Sequence, residues 1–182
     1  KLCLDTEQST SAGLCDGFPL KPSLYCNMVV RKRLNLSGPA QVFITTTVHN
    51  WIPVFHKDSV AVILLDQLRE ALHYFHVEAI GYVLMPSHLH ALLYFHQVEQ
   101  LSKFMQSFKI LSAKKLKSEI PESINRQMIV KNSFRFWKPR FDDLIIESRK
   151  QFLIKLEYIH NNPVRKGLVL AATDWKYSSA GD

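Results

Sequence analysis

Cysteine is scarce and confined to one end of the chain, long apolar runs are missing, and acidic residues are too few to balance the basic ones. The three cysteines, Cys3, Cys15 and Cys26, all fall in the first 26 of 182 residues. An odd number at wide spacing argues against a disulfide framework, and none of the close pairs that open a zinc module occurs. The expectation is reduced thiols in a cytoplasmic protein. No apolar stretch approaches the roughly 18 residues needed to cross a bilayer. The longest, Val60 to Leu65 and Ala91 to Phe95, soon meet polar residues. The opening residues lack the basic, apolar and small-residue succession of a signal peptide. Because the first residue is Lys1, a natural start is expected to be missing. The acid deficit, 16 Asp and Glu against 23 Lys and Arg, leaves a formal charge of +7. Such a balance favours polyanionic partners, since each phosphate contact releases condensed counterions. By itself it does not separate nucleic-acid binders from other basic proteins.

What is present reads as one domain behind an extension. Residues 1 to 37 mix Ser, Thr, Gly, Pro and Asp without period and end in the cluster Arg31, Lys32, Arg33. They are expected to form an irregular arm, solvated or in contact with DNA backbone. From 38 to 182 the pattern becomes legible. Gln41 to His49 is rich in β-branched residues and predicts a strand. Asp58 or Ser59 is placed to cap a helix running to about Phe75, with Val60, Ile63, Leu64, Leu68 and Leu72 on its buried stripe. Val77 to Met85 and His88 to Phe95 predict two antiparallel strands. An amphipathic helix from about Glu99 to Lys117 is expected to bury Leu101, Phe104, Met105, Phe108 and Leu111. Pro121 to Ser133 reads as loop, Asp143 to Glu147 as a short strand, and Ser148 to Asn161 as a last helix that Pro163 discourages from going further. The order strand, helix, strand, strand, helix, strand matches a ferredoxin-like split βαβ sandwich. This α+β fold has an antiparallel sheet with helices on one face. The tyrosine-bearing helix follows it.

Two features carry chemistry. His88 and His90 are two apart on a predicted strand, so both side chains point to one face while Leu89 faces the other way. Two imidazoles on a rigid mount suit one metal ion, although a pair is short of a complete ligand set, and exposed strands also carry histidines as plain polar residues. His49, His56, His73, His76, His96 and His160 are further candidates, most of them expected at the surface. On the last helix, Phe152, Leu153, Leu156 and Ile159 define the buried stripe. Gln151, Lys155, Tyr158 and Asn162 fall on a neighbouring one. Singly, Tyr158 also suits a core edge and Asn162 a helix end. Jointly with the histidine pair they supply a nucleophile, a metal and a third ligand.

These residues resemble a known family. Gly81-Tyr-Val-Leu-Met-Pro-Ser-His-Leu-His-Ala looks like the His-hydrophobic-His strand of IS200-type transposases, and most of all that of the REP-associated tyrosine transposases. Leu156-Glu-Tyr-Ile-His-Asn-Asn-Pro-Val-Arg-Lys-Gly-Leu-Val is similar to their tyrosine helix and its exit. Phe136-Trp-Lys-Pro-Arg-Phe and Asp174-Trp-Lys-Tyr-Ser-Ser resemble their connecting and C-terminal segments. The likeness spans about Val42 to Ala180 in order; the first 37 residues have no place in it. It implies a catalytic domain that cleaves and rejoins single-stranded DNA carrying a hairpin, with Tyr158 as nucleophile, a covalent 5′-phosphotyrosine intermediate, and Mg²⁺ or Mn²⁺ held by His88, His90 and Asn162. Both a homodimer and a monomer fit the resemblance.

Substrate grip is expected from basic residues near this constellation: Lys109, Lys114 and Lys115 on the amphipathic helix, Lys155 one turn before Tyr158, and Arg165 and Lys166 after the tyrosine helix. Arg135, Lys138 and Arg140 interleave with Phe134, Phe136, Trp137 and Phe141. That mixture suits unstacked bases beside phosphates, or equally places Phe136 and Trp137 in the core. The rival functions are a domesticated relative that binds DNA or RNA hairpins without cutting, a metal-dependent phosphate-ester hydrolase that uses water, and a purely structural domain.

Overall fold

The computed structural model describes residues 37–181. The expected N-terminal arm, with its cysteines and its basic cluster, lies outside the described residues apart from residue 37. The strands are β1 (Ala40–Thr47), β2 (Val77–Met85), β3 (His88–Phe95), β4 (Ile129–Val130), β5 (Ser133–Phe134) and β6 (Asp142–Ile145). The α-helices are α1 (Asp58–Phe75), α2 (Leu101–Lys117), α3 (Glu122–Gln127) and α4 (Arg149–Arg165). The main sheet has the order β2-β3-β1-β6, and every neighbouring pair in it is antiparallel. With α1 after β1 and α2 after β3, this is the expected ferredoxin-like arrangement.

Alternation along the strands divides the apolar residues between two layers. Val42, Ile44, Leu89, Ala91, Leu93 and Phe95 join Leu64 and Leu68 of α1 and Phe104, Met105 and Phe108 of α2 in the larger core. Phe43, Val83, Met85 and Leu92 face the other way and meet Ile159 of α4, with Phe152, Leu156 and Tyr158 packed around them. The tyrosine helix therefore covers the face that α1 and α2 leave open. His88 and His90 share the strand parity of Leu92, so β3 presents them to this same face.

Several local expectations are overturned. Helix α4 runs four residues past Asn161 and carries Pro163 inside it. Proline disfavours helical backbone before it without forbidding it. Here Pro163 is buried in the last turn, and the Lys166 N–H donates to the Asn162 carbonyl at 3.1 Å, so the turn closes despite the missing donor. Asp58 and Ser59 do not cap α1; the residue in the capping position is Lys57, which makes no side-chain cap, and Asp58 instead accepts from the Tyr177 hydroxyl at 2.7 Å. Leu111 is 45% exposed, because the turn toward the core there is taken by Ser112, whose hydroxyl accepts from the Trp137 indole at 2.9 Å. Leu153 is 51% exposed, since one helix on a narrow sheet face buries only its central stripe. The stretch read as loop, 121–133, holds α3 and β4 as well as the turn into β5. Asn125 ties it down, its amide donating to the Lys117 and Ile120 carbonyls.

The C-terminal segment protects the edge of the sheet. The Leu84 N–H donates to the Tyr177 carbonyl at 2.8 Å, the Trp175 indole donates to the Leu84 carbonyl at 2.9 Å, and Val83 bridges to Ser178. An open strand edge invites pairing with other chains, and this segment occupies part of β2's. Among the described residues no helix is long and apolar enough to cross a membrane.

Candidate active site

The face between β1, β3 and α4 collects the residues singled out from the sequence. The His88 and His90 rings lie 4.7 Å apart, closer than the roughly 7 Å between alternate residues of a strand, so the imidazoles converge. The Tyr158 ring meets His90 edge-on at 5.3 Å. Phe43 stacks on His90 at 5.6 Å and meets Tyr158 at 6.0 Å, acting as a floor beneath both. Asn162 stands one helical turn after Tyr158 and is 4% exposed. Because α4 continues through Pro163, Asn162 keeps its helical relation to Tyr158 instead of turning away at a helix end.

Each imidazole is oriented through one nitrogen. Thr45 is the register partner of His90 on β1, and its hydroxyl lies 2.7 Å from His90 Nδ1. Ser87 Oγ lies 3.2 Å from His88 Nδ1. This leaves the Nε2 atoms for other use. His90 Nε2 is buried and has no hydrogen-bond partner, a state that costs about 1–3 kcal/mol unless something binds it. Burial holds both rings neutral. It lowers the His90 pKa to about 3, helped by repulsion from His88 and Lys155, and lowers that of His88 to about 4, helped by Lys166. A neutral imidazole with a buried, unpartnered Nε2, beside a second neutral imidazole, is fit to ligate a cation. Among the described residues no group of three His, Cys, Asp or Glu side chains is placed to hold a metal. The Asn162 amide, a neutral oxygen donor, lies on the same helix face as Tyr158.

Positive charge surrounds the phenol. Lys155 Nζ lies 5.7 Å from the Tyr158 ring centre and 4.7 Å from that of Phe43, and the Arg165 guanidinium lies 5.5 Å from Tyr158. Burial lowers the Lys155 pKa. A cation over a ring at a wet site contributes about 0.5–1 kcal/mol, less than the roughly 2 kcal/mol of rotamer freedom such a side chain loses when fixed. These two side chains are thus free to leave the rings for a stronger partner such as a phosphate.

The remaining basic residues are distributed differently. Lys109 donates to the carbonyl oxygens of Lys138, Pro139 and Arg140, and burial lowers its pKa to about 8. Lys115 pairs with Glu70. Both belong to α2, as does exposed Lys114, and α2 packs on the face opposite Tyr158. Arg135 is half-buried and Arg140 exposed. Phe136 and Trp137 are core residues, buried against Phe55 and Phe108, which settles their two readings in favour of packing. Of the other histidines, His96 pairs with Glu78 and His160 contacts Ser179 at 3.1 Å.

Sequence reasoning passed over Trp51. It sits in the short 3-10 turn His49–Trp51 beyond β1, is 54% exposed, and meets the His88 ring edge-on at 5.5 Å. Asn50 and Trp51 both have positive φ, 53° and 58°. For Trp this left-handed conformation costs on the order of 1–3 kcal/mol. An isolated aromatic in a loop has no periodicity to betray it; only its exposure and strain do.

No curated protein matches the chain. Solved structures share its fold, these two among them. One is a REP-associated tyrosine transposase bound to a REP hairpin, at 21% identity and a TM-score of 0.68, covering 85% of this chain and 84% of that one. The other is a candidate transposase from Deinococcus radiodurans, at 21% identity and a TM-score of 0.51, covering 72% of this chain and 96% of that one. The family description that matches is that of the IS200-like transposases, over residues 40–162. That stretch starts at the first strand and ends at Asn162, so it contains the histidine pair, Tyr158 and the whole of the sheet between them; the chain belongs to the IS200-like transposase family.

Proposed function

We propose that this protein cleaves and rejoins single-stranded DNA through a covalent bond to Tyr158, and that residues 38–182 form the catalytic domain. The observation that carries the reading is the meeting of the Tyr158 ring with the converged imidazoles, one of them bearing a buried Nε2 without a hydrogen-bond partner. A divalent cation, Mg²⁺ or Mn²⁺, held by Nε2 of His88 and His90 and by the Asn162 side-chain oxygen, would draw charge from a non-bridging phosphate oxygen and orient the phosphorus. Thr45 and Ser87 hold the two rings in register. Lys155, Arg165 and Lys166 lower the repulsion between an anionic phosphate and its attacker, and Lys138 grips strand nearby. Lys109 supports the 138–140 turn from behind. The more distant Lys114, Lys115, Arg135 and Arg140 serve DNA outside the reacting phosphate.

The Tyr158 oxygen forms a bond to phosphorus as the bond from phosphorus to the 3′ oxygen breaks. The phenol gives up its proton and the leaving 3′ oxygen gains one. The products are a 5′-phosphotyrosine and a free 3′-hydroxyl. One phosphoester replaces another, so a 3′-hydroxyl can reverse the attack and join strands without ATP. Hairpin DNA with flanking single strand is the substrate class, supported by the family and by the hairpin bound to a protein of the same fold.

The test is incubation of wild type and Tyr158→Phe with end-labelled hairpin DNA and Mg²⁺ or Mn²⁺, followed by a denaturing gel. Wild type is expected to give a covalent adduct that EDTA abolishes. Tyr158→Phe should bind the hairpin yet give neither adduct nor cleavage. Tight binding by wild type with no adduct would instead mark a non-cleaving hairpin binder, and undiminished cleavage by Tyr158→Phe a hydrolase that uses water.

A further inference from the structure

Trp51 is a large apolar side chain held out of the core, and the backbone around it is anchored on every side. The Val48 N–H donates to the Ser87 carbonyl at 2.9 Å, the His49 N–H to the Phe136 carbonyl at 2.7 Å, and the Lys138 N–H to the Thr47 carbonyl at 2.8 Å. The Trp51 N–H donates to the Val48 carbonyl at 3.0 Å. These bonds fix a strained turn, so the backbone that carries the exposed indole is held and is not a loose tip. The indole ring meets that of His88 edge to face at 5.5 Å, and Lys138 Nζ lies over the ring, 4.3 Å from its centre. An exposed aromatic ring whose ammonium is held over it by only a weak cation–π attraction matches one unpaired nucleotide, the base taking the ring face in place of the ammonium and the phosphate taking the ammonium.

We propose that Trp51 and Lys138 form a stacking platform for a single unpaired base of the DNA strand that runs past His88. This deepens the proposed function and rests on it for the direction of the strand. The platform is sequence-tolerant, because every base has a π-face. It sets where the strand lies relative to the histidine pair. Its neighbours Thr47 and Ser87 are both bound through their backbone carbonyls, so the platform moves with the ends of β1 and β3 that carry the site.

The probe is the oligonucleotide dT12, compared with an abasic 12-mer that keeps the phosphates and lacks the bases. Of the three tryptophans, Trp137 is buried and Trp175 half-buried, so Trp51 is the one open to quenching. Wild-type fluorescence should fall on adding dT12 and change little with the abasic strand. Trp51→Ala and Trp51→Gly should bind dT12 about tenfold more weakly or worse and bind the abasic strand as wild type does. Glycine suits the positive φ, so the second variant removes the ring without adding backbone strain. Trp51→Phe should recover most of the dT12 affinity, and Lys138→Gln should weaken both probes alike. Equal loss on both probes by the Trp51 variants, or no loss on either, would overturn the proposal. Adduct formation by wild type on hairpin DNA is measured separately, so its failure would count against the nuclease reading without touching the stacking result.

Discussion

Thr45 shows how much one hydroxyl decides at this site. It lies across the strand pair from His90 and engages Nδ1 at 2.7 Å, while Nε2 stays buried without a hydrogen-bond partner. Partners of this kind hold a ligand ring in one orientation and raise its basicity. Thr45→Val keeps the β-branched shape but removes the hydroxyl. It is expected to weaken Mn²⁺ binding by about tenfold to a hundredfold and to cost about 1–3 kcal/mol of stability, because the ring nitrogen loses its partner, as read by calorimetric titration beside a melting curve. Unchanged Mn²⁺ affinity would show that the ring needs no such partner. The histidines, Tyr158 and Asn162 were legible in the sequence because their spacing places them on defined strand and helix faces. Thr45 was not, since its role depends on cross-strand register, and neither was Trp51, whose turn has no pattern.

At the level of elements, the site depends on how closely α4 lies on the sheet. Strand β2 makes this approach possible at Gly81, where an added Cβ would fall 2.7 Å from Leu156 Cδ1. A register shift between Ala79 and Gly81 bends the strand just before this point. A methyl group there asks only that the Leu156 side chain rotate. A branched one leaves no such escape, and Gly81→Val is expected to lift α4, at a cost of about 1–3 kcal/mol for overpacking. The resulting shift of Tyr158 should lower adduct formation more than it lowers hairpin binding; equal losses would indicate general unfolding. Strands β2 and β3 were readable to the residue because apolar alternation and the Pro86-Ser87 break bound them. The end of α4 was not readable. Pro163 argues against helix locally, and only its burial against the rest of the molecule outweighs that preference.

Across the whole molecule, the C-terminal segment returns to the start of α1. The Tyr177 hydroxyl donates to Asp58 at 2.7 Å and Lys176 pairs with the same carboxylate. The Lys176 and Tyr177 hydrogen bonds lower the Asp58 pKa below its ordinary 3.8. A carboxylate whose folded pKa is depressed adds stability above its unfolded pKa and loses it as the pH falls through the folded one. Wild type should therefore exceed Asp58→Ala in urea midpoint near neutral pH, and the gap should close as the pH falls below 3.8 and through the lowered pKa. A gap that persists in acid would mean that the carboxylate charge is not what holds the segment. The sequence by itself determined the succession of β1, α1, β2, β3, α2, β6 and α4, the ferredoxin-like class, the facing of His88 with His90 and the family likeness, because strand and helix periods are local and repeat over many residues. Only the tertiary structure decided that α4 lies on the sheet face left open by α1 and α2, that Phe136 and Trp137 belong to the core, that the lysines of α2 point away from the phenol, and that Trp51 stands beside His88. These depend on which surfaces meet at long sequence separation, and the free energy of burying one face against another is not encoded in any single stretch of chain.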